Sequence, residues 1–244
     1  MPSAPEYSGR GRGGRAAATV RDRVMRGGER LWRHDDFNDL PPQAVSQALS
    51  RLARQGEVRR VHKGTYFRPR KSVLGESRAS HSAVTSRVLN APVHPSGLTA
   101  ANMLGLSTQN PARPQYTTPA SSPGARPDTW TLTVNRPASR RRLSQQEGAV
   151  LELLRARAAT SDLSADDTVA RLKDLLSDDA SYARLAKAAL DEPPRVRAMF
   201  GALGQEVGAS ESELAPLRRS LNPLSHFDFG KLGALRFAKD WQAK

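Results

Sequence analysis

Apolar residues are nearly absent before Ala16 and recur at regular spacings after it. Residues 1–15, with their SGRGRGGR run, are therefore expected to form a disordered basic tail. Ala16 to Met25 reads as a helix with Val20 and Val24 on one face, ended by Gly27-Gly28. Leu31 and Trp32 follow in a short extended stretch. Asp35 or Asp36 can cap a short helix running to Leu40, with Phe37 and Leu40 turned inward. Pro41-Pro42 stops that helix and opens the next, since proline suits a first helical turn. Gln43 to Gln55 is an amphipathic helix in which Val45, Leu49 and Leu52 recur beside Ala48 and Ala53, and Gly56 is placed to end it. Glu57 to Val61, a His62-Lys63-Gly64 turn and Thr65 to Arg68 then read as a β-hairpin closed by Pro69.

Arg70 to Glu76 reads as a connector and His81 to Leu89 as a helix. The Ser96 to Gln109 stretch is helical in its middle, with Leu98, Ala101 and Leu104 inward and Gly105 at the end. Asn110 to Pro127 holds five prolines and reads as a long loop. Thr129 to Val134 alternates and is β-branched, so it is expected to be a strand, and Tyr116 to Thr118 can pair with it. The Arg140-Arg141-Arg142 run reads as a solvated loop. Beyond it the pattern is helical. Ser144 with Glu147, Ser164 with Asp167 and Ser210 with Glu213 have capping-box spacing. Pro193-Pro194 interrupts a leucine- and alanine-rich run. Phe227, Phe229, Phe237 and Trp241 crowd the last 18 residues. They either close the helical core or form an aromatic anchor for a partner protein.

The organisation expected is α+β: an N-terminal winged helix-turn-helix over residues 16–72, a mixed α/β segment over 73–143 and a helical C-terminal region over 144–244. Helix, short helix, helix and hairpin within about 50 residues is the order of that DNA-binding unit, whose third helix enters the major groove. Charge sharpens this reading. The chain of 244 residues carries +14, with 38 Lys+Arg against 24 Asp+Glu. Residues 1–72 balance to +9, residues 73–143 to +6 and residues 144–244 to −1. A basic front half favours a polyanion, by phosphate neutralisation and counterion release. The apolar face leaves Gln43, Ser46, Gln47, Ser50, Arg51 and Arg54 for base edges, since Gln pairs with adenine and Arg with guanine. The hairpin offers Arg59, Arg60, Lys63, Thr65 and Arg68 for phosphates. A small domain that only packs against protein is the alternative.

Other chemistry finds little support. With no cysteine there is no disulfide framework, thiol nucleophile or cysteine-held metal. The five histidines show no ligand spacing, and no glycine-rich phosphate loop sits between a strand and a helix. Asp35-Asp36 lacks the Gly-Ser pair of a nucleotidyltransferase. No catalytic group, metal or cofactor is expected, so the chain is not expected to be an enzyme. No apolar run is long enough for a membrane helix, and the first residues lack the apolar stretch of a secretory signal, so a cytoplasmic location is expected.

Two blocks carry a family resemblance. Asp36-Phe37, Ala44 to Leu52, Gly56, Arg60-Val61 and Lys63 to Tyr66 form the first; Ser96-Gly97, Ala100 to Asn102, Leu104 to Gln109, Pro111 and Tyr116-Thr117 form the second. Together, over residues 18–143, the chain resembles AbiEi-type antitoxins of bacterial toxin–antitoxin systems. The resemblance implies an N-terminal winged helix that represses its own operon by binding promoter inverted repeats. It also implies a C-terminal part that neutralises a nucleotidyltransferase-type toxin. The partners expected are therefore operator DNA and a cognate toxin, with no membrane. The competing expectation is a stand-alone winged-helix regulator whose C-terminal region binds a protein or ligand.

Overall fold

Helix α1 spans Arg10–Arg26 in the computed structural model, which describes residues 10–73, 75–121 and 130–244. Ala16, Val20 and Val24 lie four apart along it and are buried. This helix begins at Arg10, inside the stretch expected to be a disordered tail; residues 1–9 lie outside those described. The chain then forms β1 (Arg30–Arg33), a 3-10 turn at His34–Phe37, and α2 (Pro42–Arg54). It continues into β2 (Arg59–His62) and β3 (Thr65–Arg68). These three strands make one antiparallel sheet in the order β1-β3-β2, with Trp32 opposite Tyr66 and Arg60 opposite Tyr66 on the other side.

The core of this first unit gathers Val20 and Val24, Trp32 and Phe37, Val45, Leu49 and Leu52, Val58 and Tyr66. Trp32 stacks on Phe37 at 5.5 Å between ring centroids. Gly27 is required beside it, because a Cβ there would overlap the indole. The Arg70–Glu76 connector is instead a second small hairpin, β4 (Lys71–Ser72) with β5 (Gly75–Glu76). Its base is closed by reciprocal bonds between Arg70 and Ser77. Helix α3 (His81–Leu89) follows, and its Arg87 donates to Asp36 Oδ1 at 2.6 Å while its carbonyl accepts from Arg33 Nη1 at 2.7 Å. The first unit runs to Val88, beyond the winged helix expected over residues 16–72 from the order of its elements.

The second unit runs from Leu89 to Lys244. It opens with β6 (His94–Pro95), α4 (Gly97–Met103), β7 (Gln115–Thr117) and β8 (Thr131–Thr133). Strand β7 is central, antiparallel to β6 and parallel to β8. The expected pairing of Tyr116 with a Thr-rich strand is thus present over Thr131–Thr133, while Thr129 lies outside the described residues. Five helices complete it: α5 (Gln145–Arg155), α6 (Ala165–Leu175), α7 (Asp179–Ala189), α8 (Pro194–Glu206) and α9 (Glu211–Arg219). Ser144 and Glu147 form a reciprocal capping box, and Ser210 with Glu213 does the same for α9. Helices α5 and α8 are buried on almost all sides, as a helix at the centre of a bundle must be.

The tail packs into the same core. Phe229 and Trp241 are buried, and Phe227 and Phe237 lie partly buried against it. Gly201 on α8 leaves room for the Trp241 ring, whose Nε1 donates to Gln205 Oε1 at 2.8 Å. The arginine run is a correction. Arg140 is fully buried on a 3-10 turn, donating to Glu152 and, at 2.6 Å, to Glu192. A run of like charges resembles a solvated loop in sequence, but the two glutamates that neutralise Arg140 lie 12 and 52 residues away.

Candidate nucleic-acid interface

Helix α2 turns about 100° per residue. On that wheel Val45, Ala48, Leu49 and Leu52 centre on one side, and Gln43, Gln47, Ser50 and Arg54 centre roughly opposite. The burial pattern follows the wheel: the four apolar residues are buried, while Gln43, Gln47, Arg51 and Arg54 are exposed. From Gln43 to Arg54 the stripe runs about 16 Å along the axis. Arg51 and Arg54 also lie in the last turn, where a cation favours the helix dipole. Ser46 is half-buried. Ser50 is half-buried too, and its hydroxyl lies 3.3 Å from the Tyr66 hydroxyl of β3, so it is tied to the sheet. Sequence spacing does not reveal this contact, because Ser50 and Tyr66 lie 16 residues apart on different elements.

The β2–β3 hairpin turns at Lys63-Gly64, with Gly64 at φ 70°, a conformation glycine adopts without strain. Lys63 is exposed at this tip, Arg60 is exposed on β2 and Arg68 is half-buried on β3. Thr65 is a correction: it is 1 % exposed and its hydroxyl has no partner among the described residues, so it cannot reach a phosphate. Thr65, Tyr66 and Phe67 of β3 are buried one after another, so both faces of this strand are covered at its start. Arg59 is exposed, but its guanidinium is held by Glu76 of β5, at 2.7 and 3.1 Å.

The ion pairs divide the surface of this unit. Arg23 pairs with Asp39, Arg26 with Asp22, Arg30 and Arg87 with Asp36, and Arg70 with Glu29. The hydrogen bonds from Arg23 hold the Asp39 carboxyl below its ordinary range. Asp36 also accepts from the Arg33 backbone at 2.7 Å, closing the 3-10 turn. That settles its role as structural. By contrast, among the described residues no ion pair involves Arg51, Arg54, Arg60, Lys63 or Arg68. Five cations on one helix stripe and one hairpin thus have no acidic partner, whereas most acids are spent elsewhere.

The second block of the resemblance has a structural role in the other unit. Ser107 Oγ donates to Asp162 at 2.6 Å and Gln109 Nε2 donates to the same carboxylate at 2.7 Å. Asp162 N donates to the Leu106 carbonyl at 2.8 Å, and Arg171 Nε to the Leu104 carbonyl at 2.8 Å. The Leu104–Gln109 segment is therefore a clasp onto the start of α6. No cluster of three metal-ligating side chains occurs among the described residues, and none of their helices is long and apolar enough to cross a membrane.

A family model matches residues 22–180, well over half of the chain. The chain belongs to DUF6088, a family of unknown function. The DUF6088 segment takes in the α2 stripe, both hairpins and the Leu104–Gln109 clasp, and stops at the start of α7. Among solved structures, the crystal structure of the RV2827C protein from Mycobacterium tuberculosis aligns with a TM-score of 0.46 at 19 % identity. The alignment covers 86 % of this chain and 83 % of that one. No curated protein matches the chain.

Proposed function

We propose that the first unit is a winged helix-turn-helix that binds duplex DNA, with α2 in the major groove and the β2–β3 hairpin along the backbone. The observation that carries this reading is the exposed Gln43, Gln47 and Arg54 opposite the buried face of α2, with exposed Arg51 at the edge of that stripe, joined by Arg60, Lys63 and Arg68, which have no acidic partner among the described residues. Glutamine and arginine side chains are the residue types that read adenine and guanine in the major groove. Unpaired cations on an adjacent hairpin neutralise phosphates without giving up an existing ion pair. The helix–strand–turn–helix–hairpin order and the β1-β3-β2 sheet fit the same reading.

The biological role proposed is that of an autorepressing antitoxin. The winged helix would bind inverted repeats in its own promoter, and the second unit would neutralise a nucleotidyltransferase-type toxin. Support for the antitoxin half is the AbiEi resemblance over residues 18–143.

Fluorescence anisotropy on the full chain tests the DNA half, comparing a duplex from its own promoter with a scrambled duplex over a salt series. Preference for the promoter, with affinity falling steeply as salt rises, is expected. Equal, salt-insensitive binding would overturn it. Growth of bacteria expressing the neighbouring gene, with and without this chain, tests the antitoxin half. Toxicity that the chain relieves supports it, and absence of rescue leaves a stand-alone regulator.

A further inference from the structure

Glu76 stands alone in its stretch of sequence. It is the one acidic residue between Glu57 and Asp128, amid Arg59, Arg60, Lys63, Arg68, Arg70, Lys71 and Arg78. The fold places it against the candidate DNA-binding hairpin. Its Oε2 accepts from Arg59 Nε and Nη2 at 3.1 and 2.7 Å, and its Oε1 lies 4.0 Å from Lys71 Nζ, its partner across the β4–β5 pair. The hairpin that carries it is fixed at its base by Arg70 and Ser77 and at its turn by Ser72 Oγ donating to the Gly75 carbonyl. So Glu76 is held in position by backbone pairing, and Arg59 reaches to it. The carboxylate keeps about a third of its surface in solvent, so the clasp can be exchanged for another anion.

We propose that Glu76 is an internal phosphate mimic that withholds Arg59 and Lys71 from a polyanion, lowering general duplex affinity while leaving the α2 stripe free to read sequence. The proposal rests on the duplex-binding reading above. Its physical basis is competition. A cation already neutralised by a carboxylate releases fewer counterions on meeting a phosphate, so it adds less to affinity and to salt dependence. Gln43, Gln47, Arg51 and Arg54 on α2 have no such competitor among the described residues, so the clasp costs general attraction and spares base reading. That raises the ratio of specific to general binding, the quantity that matters among many competing sites.

The test uses the full chain, a promoter duplex, a scrambled duplex and a heparin column. Glu76→Gln is expected to steepen the log–log salt slope on scrambled DNA by about one to two units, one for each cation released, and to tighten that binding several-fold near 0.1 M salt. The promoter-to-scrambled affinity ratio is expected to fall. Asp22→Asn makes the same change in net charge but frees Arg26 on α1, so its slope is expected to stay with the unmodified chain. Adding Arg59→Gln to Glu76→Gln is expected to remove about half of the gain in slope. A Glu76→Gln slope equal to that of Asp22→Asn, or weaker binding by a variant with an unchanged circular dichroism spectrum, would overturn the proposal. Heparin separates the two ideas. Later elution of Glu76→Gln with no duplex binding by any form would uphold the masking of Arg59 and Lys71 and refute the DNA reading. Duplex binding by all forms, with no change in slope or elution, would refute the masking alone.

Discussion

Arg140→Met removes the centre of a buried charge network and keeps most of the side-chain volume. Arg140 and the Glu192 side chain have no exposed surface, and the Glu152 side chain has 5 %. Breaking a buried ion pair by deleting one partner typically costs about 3–5 kcal/mol, because the other charge stays buried without compensation. Here the carboxylates are not stranded. Glu152 keeps Arg136 at 2.7 and 3.0 Å, and Glu192 keeps Arg155 at 2.6 Å. One Arg140 nitrogen, Nη2, has no partner among the described residues, so its removal also relieves an unmet donor. Both points place the expected cost at the low end, about 3 kcal/mol. At roughly 2–4 °C per kcal/mol for a unit of this size, the melting temperature should fall by about 6–12 °C. Glu192→Gln should cost at least as much, since it leaves Arg140 with Glu152 alone and takes from Arg155 the carboxylate it donates to. Scanning calorimetry on the full chain gives the shift, and urea titration shows whether the slope of unfolding is unchanged. A fall below about 2 °C for both variants would refute the reasoning, because it would mean that desolvation cancels the pairing and the network contributes no net stability.

Arg51→Ala is expected to weaken the promoter duplex by about 1–3 kcal/mol more than a scrambled duplex, whereas Lys63→Ala should weaken both alike and lower the salt slope by about one; anisotropy titrations on both duplexes read the difference. Burial, with the Arg140 charge nearby, lowers the His94 pKa to about 4 against the opposing pull of Glu152 and Glu147. The folded His94 therefore stays neutral where the unfolded one begins to protonate. Stability from this group is whole above pH 6.5 and declines as pH falls toward 4; a His94 ring resonance that titrates near pH 6.5 in the folded chain would contradict this. Burial pushes the Glu152 carboxyl up, but hydrogen bonds from Arg136 and the charges of Arg140 and Arg136 more than offset it and hold it below its ordinary value. Glu152 thus adds stability that is present above its unfolded pKa and lost as pH drops through the folded one, a trend Glu152→Gln should flatten in melts at pH 3–6. Gly201→Ala drives a methyl into the Trp241 ring and should cost about 1–3 kcal/mol, measured by denaturant unfolding followed at Trp241; an unchanged midpoint would show that the tail is not seated there.

What the sequence determined by itself is local. Val45, Leu49 and Leu52 on one face of α2 specified the buried side of that helix and so its exposed stripe. Ser144 with Glu147, Gly56 after Arg54 and Lys63-Gly64 between two strands marked ends and turns whose hydrogen bonds close within a few residues. Such signals are readable because partner and partnered group are neighbours in the chain. The tertiary structure decided what depends on distant partners. Arg140 left solvent because Glu152 and Glu192 meet it. Thr65 was covered because both faces of β3 are packed over at its start, and Arg59 was occupied because the Arg70–Glu76 stretch folded back as a hairpin instead of running on as a connector. The aromatic tail was ambiguous between core and anchor until α8 supplied glycine at 201 and Gln205 for the indole. Burial and charge pairing are set by what the folded chain brings within a few ångströms, and no spacing along the sequence encodes that distance.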